Sequence, residues 1–171
     1  MNMSTEQDIA PKDAFNDLQD TQKAEWLSFK LGDLDYAVDI LKVREIRTWE
    51  QCTRIPYAQD YVTGLINLRG AIVPIVNLRT RLGMTAKAHD AETVILIMDV
   101  ELSEGHKTIG IVVDAISEVI ETDSNNSQFH PEFDLSIDKR FVAGIADDNS
   151  NMLILLNIDT LLDLELSQTN N

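Results

Sequence analysis

Three aspartates, Asp39, Asp99 and Asp114, stand beside apolar runs of the chain. Two such carboxylates brought together in a buried site would share a proton and could do general acid–base work. Strand ends facing water explain the same positions with less strain. Cys52 is the single cysteine; nothing local marks it as a nucleophile, and a small packing residue accounts for it. His89, His106 and His130 fall in separate polar segments, and none has the local spacing of a metal-binding pair. The phosphate-binding loop, the dinucleotide glycine fingerprint and the nucleophile elbow are all missing from the sequence. The residues point to binding rather than turnover, so the expectation is no enzyme, no metal and no cofactor.

A different kind of chemistry is offered between Gly64 and Leu78, where two β-branched runs meet at Asn67-Leu68-Arg69-Gly70. The runs suit packed strands. Gly70 suits a tight turn with positive φ. Arg69 is then a lone cation carried on a stiff corner, which fits recognition, since exposed ion pairs add little stability. A solvated turn residue is the alternative.

The elements that must position this corner are short. Leu27, Phe29 and Leu31 alternate with polar residues, Gly32-Asp33 interrupts, and Tyr36, Val38 and Ile40 follow, which predicts a glycine-led hairpin. Residues 41–46 fit either a strand or a helical turn. Pro74 cannot donate to a ladder, so its strand is expected at an edge or at a bulge. Residues 78–82 close with a short turn before Gly83, and 84–92 form a polar loop. Strands are expected over 93–100 and 107–114; 115–121 continues as a strand or a bent extension, then a polar connection leads to Pro131-Glu132-Phe133. Residues 140–146 pair with 152–158, and Asp159 is expected to cap a helix over 160–166.

Residues 64–82 and 144–162 align without a gap at a spacing of 80: Gly64 falls on Gly144, Asn77 on Asn157, Thr80 on Thr160 and Leu82 on Leu162. Two related β-subdomains follow, each small for an independent core and therefore closely packed. Frequent turns between short strands favour barrels or sandwiches, since closure removes exposed edges.

Composition agrees with a folded chain of 171 residues, 44% hydrophobic, whose apolar runs are too short to span a bilayer. No basic segment followed by an apolar stretch opens it, so no secretory signal is expected. A lone cysteine suits a reducing cytoplasm. Net charge is −15, but residues 24–87 carry 9 basic and 7 acidic side chains while 88–171 carry 3 and 17. Nucleic acid needs clustered Lys and Arg and is a poor partner for such a chain. Two unlike surfaces, each addressing a different protein, fit better. Residues 1–23 are polar and acidic, without a sustained period, and read as a mobile, disordered arm.

With these residues in view, the chain resembles the CheW-type chemotaxis coupling proteins from about Glu25 to Leu164. The motifs are Leu31-Gly32-Asp33 with Tyr36-Ala37-Val38-Asp39-Ile40-Leu41-Lys42-Val43-Arg44-Glu45-Ile46, then Gly64-Leu65-Ile66-Asn67-Leu68-Arg69-Gly70, Ile72-Val73-Pro74-Ile75-Val76-Asn77-Leu78-Arg79, and Gly110-Ile111-Val112-Val113-Asp114. Asn77 stands where the family pattern often has Asp. The resemblance implies a mainly β fold of two intertwined, five-stranded SH3-like barrels with short helices, one of them C-terminal. The division is roughly 24–87 and 88–166 with strand exchange, followed by a polar tail over 167–171. It implies a non-enzymatic adapter, cytoplasmic and recruited to membrane-associated receptor arrays without inserting in the membrane. Its partners would be the cytoplasmic tip of a methyl-accepting chemoreceptor and the regulatory domain of a chemotaxis histidine kinase. A module of a non-chemotactic array, or a CheV-type protein lacking its receiver domain, is the alternative.

Carried over residue by residue, Val43, Glu45 and Arg69 match positions associated with coupling to receptor and kinase. Val94 and Val119 match apolar positions lining a groove for the receptor helix; ordinary core is the other reading of both. Glu132 and Phe133 match a second kinase contact that builds rings, with core packing the alternative for Phe133.

Overall fold

The structure is a computed structural model, and it describes residues 23–123, 136–148 and 151–163. Among the described residues ten strands run β1 (Ala24–Leu31), β2 (Leu34–Asp39), β3 (Val43–Thr48), β4 (Val62–Leu68), β5 (Ala71–Asn77), β6 (Val94–Leu102), β7 (Gly105–Val113), β8 (Ala115–Thr122), β9 (Val142–Asp148) and β10 (Asn151–Leu156). Helix α1 (Leu78–Arg81) follows β5 and α2 (Ile158–Leu162) follows β10. The acidic arm and the tail of the sequence reading lie outside the described residues, apart from Lys23.

The fold is mainly β, in two five-stranded sheets of order β8-β1-β2-β10-β9 and β3-β6-β7-β5-β4. A cut at residue 87 does not separate the two sheets, because each has strands on both sides of it. The second sheet is drawn from 43–113 without interruption, and the first from 24–39 and 115–156, so one unit is threaded between the strands of the other. Each sheet is antiparallel except for one parallel pair, β5 with β7 and β10 with β2.

The apolar runs are continuous because the inner strands are buried on both faces. Along β6, Leu96 and Met98 enter the large core while Ile95 and Ile97 enter a smaller one with Ile66, Leu68, Val73 and Ile75. Along β10, Ile154 and Leu156 share the large core, and Leu153 and Leu155 pack with Ala37 and Ala146. The large core lies between the sheets, joining Phe29, Leu31 and Tyr36 of the first to Leu96, Met98 and Ile111 of the second. Each buried Leu or Ile there contributes about 1.5–3 kcal/mol.

The spacing of 80 is written into the ladders. Val62 pairs with Val76 and Gly64 with Ile75; Val142 pairs with Leu156 and Gly144 with Leu155, with the same irregularity in each hairpin. Asn77 Oδ1 caps α1 through Thr80 N–H at 3.4 Å, and Asn157 Oδ1 caps α2 through Thr160 N–H at 3.3 Å. The two halves meet at Arg81. Its guanidinium lies 5.2 Å from the Tyr61 ring centre and 4.8 Å from that of Phe141, two aromatics at the same spacing, and its Nε donates to Leu161 O at 2.9 Å.

Two ion pairs also tie the sheets together. Arg79 of α1 holds Asp114 through Nε at 2.8 Å, and Asp114 accepts the Gly32 N–H of the first sheet's hairpin at 2.9 Å. Asp159 of α2 takes Lys42 Nζ at 2.7 Å and the Glu101 N–H of the second sheet at 3.1 Å. Asp159 is therefore not the cap that the sequence suggests. Asn157 starts the helix two residues earlier, and the carboxylate serves the other sheet.

Pro74 also differs from expectation. Its strand is internal, and the irregularity sits on β4 between Val62 and Gly64. Pro74 is tolerated because the parallel ladder to β7 begins only at Ile75. Opposite it, Leu65 spends its backbone groups on Thr53.

Candidate functional site

Arg69 and Gly70 form the two-residue turn between β4 and β5, whose last pair is Leu68 with Ala71. Both have positive φ, 50° at Arg69 and 87° at Gly70. Turns with two left-handed residues match the twist of a hairpin and favour Asn or Gly. Gly70 meets this by lacking a Cβ, and its N–H is taken by Asn67 Oδ1 at 2.8 Å. Arg69 holds the same conformation at a steric cost of roughly 1–2 kcal/mol. Strain retained by an exposed polar side chain is a pointer to function.

Glu45 fixes this cation. Register places Val43 opposite Met98 but Glu45 opposite Ile97, so Arg44 is an extra residue and the strand changes face there. Val43 thus turns to the large core, where it packs half-buried. Glu45 turns to the other face, where Oε1 lies 3.1 Å from Arg47 Nη1 and Oε2 lies 3.2 Å from Arg69 Nη1. Arg47 is anchored further by Glu50 at 3.3 Å, and the Glu45 hydrogen bond raises its pKa most, with Glu50 adding to it. Arg69 is the outer member, with 72% of its side chain exposed.

Beside the corner the first halves of β5 and β7 diverge, and a groove of about 550 Å³ opens between them. Arg44, Arg69 and Lys107 supply its cations, and Ile72, Val73 and Pro74 its apolar surface. Ile72 is 62% exposed. In sequence Ile72 belongs to an apolar run that suits a packed strand, and nothing there singles out Arg44 or Lys107. The pairing of Ile72 with the exposed Asn67 is the signal that only register supplies.

The other expected site residues fall apart from this corner. Val94 opens β6 and is half-buried, packed against the large core. Val119 lies on the edge strand β8, opposite Leu27, and is 52% exposed. Glu132 and Phe133 lie outside the described residues, as does His130.

The groups considered for catalysis have separate employments. Asp39 caps a 3-10 turn through Leu41 N–H at 2.9 Å, Asp99 accepts from Thr108 Oγ1 at 2.8 Å, and Asp114 belongs to Arg79. Burial pushes the Cys52 thiol up to about 11, with the nearby Glu50 adding to the shift, so it is protonated at neutral pH and a poor nucleophile. His89 lies against Trp49, ring centres 3.8 Å apart, and His106 pairs with Glu101 at 2.8 Å. Among the described residues no group of three or more His, Cys, Asp or Glu side chains could hold a metal ion.

A family model described as CheW-like domain matches residues 25–166. The chain is 38% identical over 146 residues to the chemotaxis protein CheW of Klebsiella aerogenes, covering 85% of this chain and 86% of that protein. It is 30% identical over 149 residues to the chemotaxis protein CheW of Bacillus subtilis, covering 82% and 88%. The crystal structure of the scaffolding protein TtCheW from Thermoanaerobacter tengcongensis is similar with a TM-score of 0.74 at 30% identity, over 85% of this chain and 97% of that one.

Proposed function

The chain belongs to the CheW-like domain family, and from that premise we propose that it is a non-enzymatic scaffold coupling chemoreceptor tips to a chemotaxis histidine kinase. The observation that carries the reading is Arg69, kept in a left-handed turn, braced by Glu45 and presented to solvent. A partner seated there meets an oriented guanidinium with donors to spare, beside the apolar surface of Ile72 and Pro74.

In this reading Val43 shapes the β3 bulge from the core side, Glu45 and Arg69 set register by charge, and the exposed Val119 offers an apolar anchor. Val94 completes the receptor-facing set. Glu132 and Phe133 supply the second kinase contact that closes rings. The scaffold works in the cytoplasm and reaches the membrane through its receptor partner; among the described residues no helix is long and apolar enough to cross a membrane.

Titration calorimetry with the kinase regulatory domain of the same organism tests the proposal. The expected result is saturable binding near micromolar, about −8 kcal/mol. An array needs no tighter contact, because several act together. No binding up to about 100 μM would reject the kinase partner and favour an array of another kind.

A further inference from the structure

Among the described residues, those lining the groove at the Arg69 corner include cations and no carboxylate. Each cation has an acidic neighbour, Asp99 at 3.8 Å for Arg44, Glu45 at 3.2 Å for Arg69 and Glu104 at 2.8 Å for Lys107. Lys and Arg carry three to five N–H donors, more than the single nitrogen contact to that neighbour uses. A complementary occupant combines carboxylates with a few apolar side chains.

Such a segment is carried by the chain itself. Residues 1–22 hold five acidic side chains, Glu6, Asp8, Asp13, Asp17 and Asp20, against the single basic Lys12. Phe15 and Leu18 are interleaved with the last three acids. Twenty-two residues reach at most about 75 Å from β1. A folded unit of this size has a radius of gyration of about 14 Å, so its whole surface is within reach. Tethering supplies an effective concentration of about 1 mM, so a contact too weak to hold a free peptide is populated within the chain.

From this complementarity and reach we infer that residues 13–20 dock in the Arg44–Arg69–Lys107 groove of their own chain. A docked arm covers Arg69 and competes with whatever binds there. That consequence rests on the function proposed above; the docking itself does not.

The test is a spin-label measurement on the full chain carrying Cys52→Ser and Gln19→Cys, with a nitroxide at position 19 and 15N amides read by NMR. At 50 mM salt the Arg44, Ile72 and Lys107 amides are expected to lose more than half their intensity. They recover at 1 M salt, where the screening length is about 3 Å, and in the Lys107→Glu variant. A second measurement needs no label: Asp13→Lys, Asp17→Lys and Asp20→Lys together shift those same amides from their native positions.

Uniform or absent broadening, or unchanged shifts in the triple variant, overturns the inference. Equal broadening between spin-labelled and separately 15N-labelled chains assigns the occupant to a second copy and overturns it too. Neither readout involves kinase or receptor, so failure here is distinct from failure of the scaffold reading.

Discussion

Glu45 grips Arg69 with one carboxylate oxygen at 3.2 Å and Arg47 with the other at 3.1 Å. The inner guanidinium holds the acid, and the acid aims the outer guanidinium. The β3 bulge at Arg44 makes this possible, because without the extra residue Glu45 would share the core-facing side of Val43. The corner is therefore built from two strands distant in sequence, and its orientation depends on both.

Arg69→Asn separates the turn from its side chain. Asn tolerates the left-handed region better than Arg, so relief of strain is expected to raise stability by up to about 1 kcal/mol. Partner affinity falls in the same variant. Urea unfolding checks the first effect and calorimetry the second; a variant that is both less stable and fully active would show that the turn is not strained by Arg69.

Asp114→Asn breaks the tie between α1 and the first sheet's hairpin. Arg79 beside Asp114 holds its carboxyl below the usual carboxylate range, helped by the Gly32 N–H. A carboxyl whose folded pKa is depressed contributes stability above its unfolded value of about 3.9, and that contribution is lost as pH falls through the folded value. The native chain should therefore lose stability on acidification below about pH 4. The variant should start about 2–4 kcal/mol less stable at pH 7, because Arg79 loses its partner, and show a shallower acid slope. Denaturant midpoints from pH 3 to pH 7 measure both.

Arg81→Lys keeps the charge at the junction of the halves but loses the planar group between Tyr61 and Phe141 and the Nε donor to Leu161 O. Two ring contacts and a hydrogen bond predict a loss of about 1–3 kcal/mol in urea unfolding. An unchanged midpoint would show that the junction is held by apolar packing alone.

Sequence pattern alone revealed much of this architecture. The 80-residue spacing read from Gly64, Asn77, Thr80 and Leu82 proves to be a ladder-for-ladder equivalence, because glycines, caps and apolar alternation are local requirements that leave local marks. The aromatic pair Tyr61 and Phe141 lies just outside the segment that aligned visibly, and its importance rests on Arg81, which only folding brings between them. Residues 41–46 were ambiguous because they are both things, a 3-10 turn over Ile40–Lys42 and then β3. The face change at Arg44 and the exposure of Ile72 are products of register, which a single sequence does not spell out.

Phe133→Ser addresses the proposed ring contact. Retained one-to-one kinase binding with loss of extended assemblies in electron micrographs is the expected outcome. Loss of folding by circular dichroism would return Phe133 to the core.

Whether the Glu45-braced Arg69 binds a partner is read from a paired calorimetric titration of the native chain and Arg69→Glu with the kinase regulatory domain and with a receptor-tip hairpin. Reversal of charge beside Glu45 is predicted to cost at least one of the two partners about 2–5 kcal/mol of binding, with the circular dichroism spectrum unchanged. Native affinity for both partners in a folded Arg69→Glu chain would rule out a partner-binding role for Arg69.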